Sequence, residues 1–262
     1  MISYAQNAED VVLMRALGGL ASGFYVDVGA WHPRLTSVTK AFYDIGWSGV
    51  NIEPQVRCLA QFETDRPRDI NLCLALSDRH GMDSLWVPRY SALATCRPDL
   101  VDPEIPDYGS ALQIEVETRP LDSVLAQYAS GRDIHFLKID VEGYEGLIIR
   151  GAKFEEFRPW VMVIEATSPH TNAPTWQDWE PYVLAHGYLF ALFDGLNRFY
   201  VRNESSELMP SISVPANCLD GFITQREHIT RRRLASILSA TRRERSAKAS
   251  DEMQNHTTFD RQ

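Results

Sequence analysis

The chain has 262 residues, of which 44% are hydrophobic and 23% charged, and a formal net charge of −9. Such a length and composition fit one globular domain of ordinary α/β size with a small appendage, and exclude a disordered or fibrous chain. No apolar run approaches the roughly 20 residues that span a bilayer, and an acidic body argues against a nucleic-acid enzyme, which carries a basic face.

The N-terminus, Met1-Ile2-Ser3-Tyr4-Ala5-Gln6, lacks the basic and then apolar stretches of a secretory signal. Helical spacing of Val11, Val12, Met14 and Leu17 predicts a helix over 7–17, stopped by Gly18-Gly19. A strand over 24–28 follows, then a helix over 36–45 that ends at Gly46. The second strand covers 49–53, where Pro54 keeps the preceding residue out of the helical region. A helix over 55–66 closes at Pro67, and a third strand is expected over 70–76, before the turn-prone Ser77-Asp78.

Residues 83–112 hold four prolines and no clear period, and read as an irregular insertion over the sheet edge. An exposed strand is expected over 113–117 and a short helix over 121–128. Ile134–Ile139 is the fourth core strand and stops at Asp140, a helix covers 144–157, and Trp160–Ile164 is the fifth strand and stops at Glu165. A helix over 176–186, strands over 188–193 and 198–201, and a late strand over 222–224 complete the body. Four cysteines, Cys58, Cys73, Cys96 and Cys218, are far apart and form no CxxC, which fits reduced thiols in a cytoplasmic protein.

Alternating strands and helices imply a mostly parallel, twisted sheet with helices on both faces. Ligands of such sheets bind outside the C-terminal strand ends. Asp27, Glu53, Ser77, Asp78, Asp140 and Glu165 all fall at those expected ends. The turn after the first strand has Gly29 but continues Ala30-Trp31-His32-Pro33. A pyrophosphate needs three glycines there, so the missing glycines argue against a nicotinamide-dependent oxidoreductase. S-adenosylmethionine needs only a backbone pocket for its amino-acid tail and an acid for its ribose hydroxyls. Glu53 suits that acid; otherwise it caps the next turn.

The run from Ser37 to Pro54, the run Leu137-Lys138-Ile139-Asp140-Val141-Glu142-Gly143-Tyr144-Glu145 and the opening Ser3–Asp10 resemble the FkbM-type methyltransferase family. The resemblance covers residues 1 to about 200. It implies a Rossmann-like, class I methyltransferase that uses S-adenosylmethionine and O-methylates sugar or polyketide hydroxyls; the expected acceptor is a sugar hydroxyl of a glycan or glycosylated metabolite. By position, Asp27, Gly29 and Ala30 would line the methionine half of the cofactor, Glu53 the ribose, and Ser77 and Asp78 the adenine. Gln6 and Glu9 would close the pocket. Trp31-His32-Pro33 replaces the second glycine region of many methyltransferases.

On the acceptor side, a sugar hydroxyl needs a base or a metal to lose its proton. Asp140 and Glu165 are candidate ligands of one Mg²⁺; the alternative is that Asp140 holds the cofactor's amino group and Glu165 orients a sugar. Glu142, His32 and His170 are candidate bases. Their structural alternatives are a helix N-terminus for Glu142, a turn brace for His32 and a solvent loop for His170. Acids at these strand ends argue against a non-catalytic, sugar-binding scaffold.

Between Arg226 and Lys248, eight Arg or Lys face two Glu, a charge of +6, which leaves −15 for the rest. Residues 227–243 are expected to form a basic helix with Ile229, Leu234, Ile237 and Leu238 among arginines. Such a helix packs on the body or a second copy, or approaches an anionic membrane surface or a lipid-linked glycan. The last dozen residues read as disordered. The expected division is thus a methyltransferase domain over 1–225 and a basic helix with tail over 226–262.

Overall fold

Phe24–Val28 is buried at every position, and Asp27 is its one charged residue. A strand of this kind belongs in the middle of a parallel sheet covered on both faces. A computed structural model describes residues 1–88, 92–106, 108–169 and 171–241. His170 and the terminal residues from 242 onward, including the expected disordered tail, lie outside the described residues.

In chain order the elements begin with β1 (Ile2–Ser3), α1 (Glu9–Leu17), β2 (Phe24–Val28), α2 (Lys40–Asp44), β3 (Ser48–Ile52), α3 (Val56–Asp65) and β4 (Ile70–Leu72). Next come β5 (Ala75–Ser77), β6 (Gly81–Val87), β7 (Leu112–Pro120), α4 (Leu121–Tyr128), β8 (Phe136–Ile139), α5 (Glu145–Arg150) and β9 (Val161–Glu165). The chain continues through α6 (Glu180–Ala185), β10 (Tyr188–Phe193), β11 (Asn197–Arg202), α7 (Met209–Ile212) and β12 (Ile223–Thr224). A helix over 225–241 follows.

The chain divides into two compact units, Tyr4–Asp220 and a smaller one of Met1–Ser3 with Gly221–Gln262. In the smaller unit β1 and β12 pair in parallel, Ile2 against Ile223, and the terminal ammonium donates to the Gly221 carbonyl at 3.0 Å. Ile229, Leu234, Ile237 and Leu238 of its helix are exposed. No helix of the described residues is long and apolar enough to cross a membrane.

The larger unit is built on a seven-stranded sheet of order β10-β11-β9-β8-β2-β3-β4. β4, β3, β2, β8 and β9 are parallel neighbours, while β11 runs antiparallel to both β9 and β10. The fold is Rossmann-like. Strand order reverses direction between β2 and β8, so the crevice outside Val28 and Ile139 is the topological switch point. Val26, Val28, Leu137 and Ile139 face one core with α4 and α5, while Tyr25, Phe136 and Val163 face another with α1 and α2. Asp27 and Lys138 are direct partners in register, so both point to the second face.

Several expected elements differ. The helix after β2 begins at Lys40, because Thr36 sits at φ 48 and cannot start it. The helix after β8 stops at Gly151, where a Cβ would lie 3.0 Å from Asp78 Cα. The single strand expected over 70–76 is two: β4 ends the main sheet, and β5 joins a separate sheet of order β5-β7-β6. The segment expected to be irregular from residue 83 starts inside β6, which pairs antiparallel with β7 and buries Leu85 and Val87.

Candidate active site

The first wall of the site is the turn after β2. Gly29 adopts φ 76, and its N–H donates to the Ile52 carbonyl at 3.0 Å. A Cβ at Gly29 would lie 1.8 Å from the Asp140 carbonyl oxygen, so only glycine lets the turns after β2 and β8 meet. Trp31 follows at φ 47 and donates its N–H to Glu53 Oε2 at 2.9 Å. The Gln55 N–H donates to Glu53 Oε1 at 2.8 Å. Burial raises Glu53 above the ordinary carboxylate range, and these two amides oppose the rise.

The floor is Lys138. Its ammonium lies 3.1 Å from Asp140 Oδ2 and 3.6 Å from Asp27 Oδ1, and it donates to the Gly29 carbonyl at 3.1 Å. Desolvation works against its charge, but Asp140 and Asp27 outweigh it and hold Lys138 above the ordinary lysine value. Asp27 is buried and also accepts from the Thr39 hydroxyl at 3.1 Å.

The opposite wall is the turn after β8. Glu142 sits at φ 55, a conformation unfavourable to a side chain of its kind, and neighbours fix it from both sides. The Thr95 hydroxyl donates to the Glu142 carbonyl at 2.7 Å. Glu145 Oε1 accepts the N–H groups of Val141 and Gly143 at 3.0 and 3.2 Å. The turn therefore holds the Glu142 carboxylate towards Asp140 and Glu165. Oxygens of Asp140, Glu142 and Glu165 lie within 4.8 Å of one another. At an effective dielectric near 20, each ionised pair would repel by about 3 kcal/mol or more. Burial, and then the charges of Asp140 and Glu145, push Glu142 up to about 9. Glu165 is raised well above its ordinary value by burial first and its acidic neighbours second.

These walls enclose a cavity of about 630 Å³, in the range of small-molecule sites. Gln6, Gly29, Ala30, Glu53, Asp140, Glu142 and Glu165, all singled out in the sequence, line it together. Asp27 lies beneath Lys138 and does not line it. Glu9 does not line it either: its oxygens accept from the Asn7 N–H at 2.8 Å and the Asn197 side-chain amide at 2.9 Å. Ser77 ends β5, with Asp78 just beyond it, rather than a strand of the main sheet, and Leu74, Ala75 and Leu76 line the cavity instead. His32 is also outside the lining. Its Nδ1 accepts the N–H groups of Arg34 and Leu35 at 2.9 and 3.1 Å, bracing the turn.

Sequence reasoning missed Lys138, Tyr144 and the polar residues Thr167, Ser168, Thr171 and Asn172 after β9. A lysine inside the apolar strand Phe-Leu-Lys-Ile was the available signal, since a buried ammonium needs acidic partners.

The family model for the methyltransferase FkbM domain matches residues 27–190. The chain belongs to the FkbM methyltransferase family. The match takes in β3 through β9, the last two residues of β2 and the first three of β10, and with them the whole carboxylate cluster. A TehB-like SAM-dependent methyltransferase from Corynebacterium glutamicum is a structural neighbour of this FkbM protein, with a TM-score of 0.40 and 9% identity over 74% of this chain and 87% of that one. None of the curated proteins compared matches it.

Proposed function

We propose that this FkbM protein transfers the methyl group of S-adenosylmethionine to a sugar hydroxyl of a glycan or glycosylated metabolite. The observation that carries the reading is the polarity of the cavity's two ends. Glu53 faces it from one end, and Asp140, Glu142 and Glu165 converge on it from the other.

The residues at the Glu53 end fit the cofactor. Each Glu53 oxygen accepts one backbone N–H, which leaves a lone pair on each for the ribose hydroxyls. Gly29 and Ala30 offer close backbone approach to the methionine half. Leu74, Ala75 and Leu76 form an apolar wall suited to adenine. A dinucleotide fits less well, because the helix after β2 begins only at Lys40 and presents no N-terminus to a pyrophosphate at Gly29.

When bound, S-adenosylmethionine supplies an electrophilic methyl group, whose C–S electrons return to sulfur on transfer. The chain's own task is to align an acceptor oxygen with that methyl and take its proton. In this reading the acid cluster of Asp140, Glu142 and Glu165 faces the acceptor oxygen. Thr167, Ser168, Thr171 and Asn172 add hydrogen-bonding groups suited to a polyhydroxyl acceptor.

Incubation with methyl-labelled cofactor and a panel of sugars, glycosides, carboxylic acids and amines tests this reading. Label in an ether at a sugar carbon is the expected product. Label confined to ester or amine products, or calorimetry showing that S-adenosylhomocysteine does not bind while a dinucleotide does, overturns it.

A further inference from the structure

We infer that Asp140, Glu142 and Glu165 form a binding site for one divalent cation of the hard, oxygen-seeking class. The site rests on the acceptor side of the transferase reading and adds to it a ligand, Glu142, that strand-end position alone does not indicate.

Two independent features point to a ligand at this place. The first is distance. Ligand oxygens of the three residues lie within 4.8 Å of one another. Oxygens on opposite sides of one Mg²⁺ are about 4.2 Å apart, and on opposite sides of one Ca²⁺ about 4.8 Å, from bond lengths of about 2.1 and 2.4 Å. The spread matches that around one Ca²⁺ and is slightly wider than that around one Mg²⁺, so small inward shifts of the side chains bring all three onto one ion.

The second is an unfilled need. Glu142 and Glu165 are only 7% and 8% exposed, and Oε2 of each is buried without a hydrogen-bond partner among the described residues. Buried carboxylate oxygens are ordinarily satisfied, and here both residues line the cavity beside a third acid. Lys138 does not meet the need. Its ammonium is engaged with Asp140 Oδ2, Asp27 and the Gly29 carbonyl. The donor set is all carboxylate oxygen, which suits Mg²⁺, Mn²⁺ or Ca²⁺ rather than zinc or copper.

Three protein ligands leave coordination positions open towards the cavity, where Asp140 keeps 27% side-chain exposure. Two adjacent acceptor oxygens replacing water there would fix the hydroxyl to be methylated. The chemistry selects an acceptor with vicinal oxygens over one with an isolated hydroxyl.

Metal binding is measured directly, without turnover. The full-length protein is stripped with chelator, transferred to chelator-free buffer and titrated with Mn²⁺, following the free ion by electron paramagnetic resonance. A single saturable Mn²⁺ per chain is expected, displaced by Mg²⁺ or Ca²⁺. E142Q and E165Q should each weaken it by about tenfold or more. Where either variant fails to fold, D140N, at the more exposed ligand, gives the same comparison. No stoichiometric Mn²⁺ on the wild type, or equal binding to folded variants, overturns the site. S-adenosylhomocysteine affinity, measured separately, should change little in E142Q and E165Q. Its absence from the wild type would sink the transferase reading while leaving the Mn²⁺ result to stand or fall alone.

Discussion

The backbone of Gly29 lies so close to the Asp140 carbonyl that a Cβ at Gly29 would sit 1.8 Å from that oxygen. Two turns, one after each strand at the switch point, are thereby locked together, and both line the cavity. Gly29→Ala introduces this clash and also strains a φ of 76. The expected cost is about 3 kcal/mol or more, with S-adenosylhomocysteine binding lost. Gly46→Ala is the control: φ there is 103, but nothing lies within 4 Å of its Cβ. Thermal melts should show the Gly29 variant clearly the worse, and equal melting points would remove the contact from the account.

Glu53→Gln separates binding from folding. The carboxylate accepts from Trp31 and Gln55 on different oxygens, and an amide can accept on only one. Removing the charge also relieves the burial that raises this acid. Stability should therefore change by less than cofactor affinity. The expected loss of S-adenosylhomocysteine affinity is about 10- to 100-fold, from the worth of hydrogen bonds to a charged group. Calorimetry showing unchanged affinity would take the ribose away from Glu53.

The strand ends that matter most are legible because each acid closes a dense run of β-formers: Asp140 after Phe136–Ile139 and Glu165 after Val161–Ile164, whereas Asp27 stands inside Phe24–Val28 and falls beneath Lys138 instead of in the cavity. The break between β4 and β5 is not legible. Ile70 to Leu76 is an unbroken strand-like run, and its division is decided by β7, a partner distant in sequence that pairs with Ala75–Ser77. Ser77 and Asp78 were therefore expected at an edge they do not share. Lys138 was hidden for the same reason, since its partner Asp27 belongs to another strand. Glu9 reads as a polar residue on an amphipathic helix, and its burial depends on Asn197 far along the chain.

Arg66 holds the turn after β2 from behind. It is fully buried, and its guanidinium donates to the Pro33 carbonyl at 2.6 and 3.1 Å and to the Ser37 hydroxyl at 3.0 Å. It also donates to the Tyr25 hydroxyl at 3.2 Å and lies 3.5 Å from Asp69. A lysine cannot replace this fork with one nitrogen. Arg66→Lys should destabilise the protein by about 3 kcal/mol, because Asp69 and the Pro33 carbonyl lose a buried partner. The denaturant midpoint measures this. A loss under about 1 kcal/mol would mean that the turn stands without Arg66.

Glu9 gives the protein a defined pH dependence. Burial, partly offset by backbone hydrogen bonds, raises this acid from 4.5 to about 7. Between those values the folded chain keeps a proton that the unfolded chain has released. The folded state then holds more protons, so the stability contributed at this residue falls as pH rises from about 4.5 to 7. Below the window both states are protonated, and above it both are ionised and the penalty is constant. The full penalty is about 3 kcal/mol. Glu9→Gln removes the titration whatever its fixed effect on the hydrogen bonds to Asn7 and Asn197. Urea unfolding of both proteins across pH 4.5 to 8 should show the variant gaining on the wild type by about 3 kcal/mol through the window, then running parallel. Curves parallel throughout would mean that Glu9 titrates in the folded protein as it does in the unfolded chain.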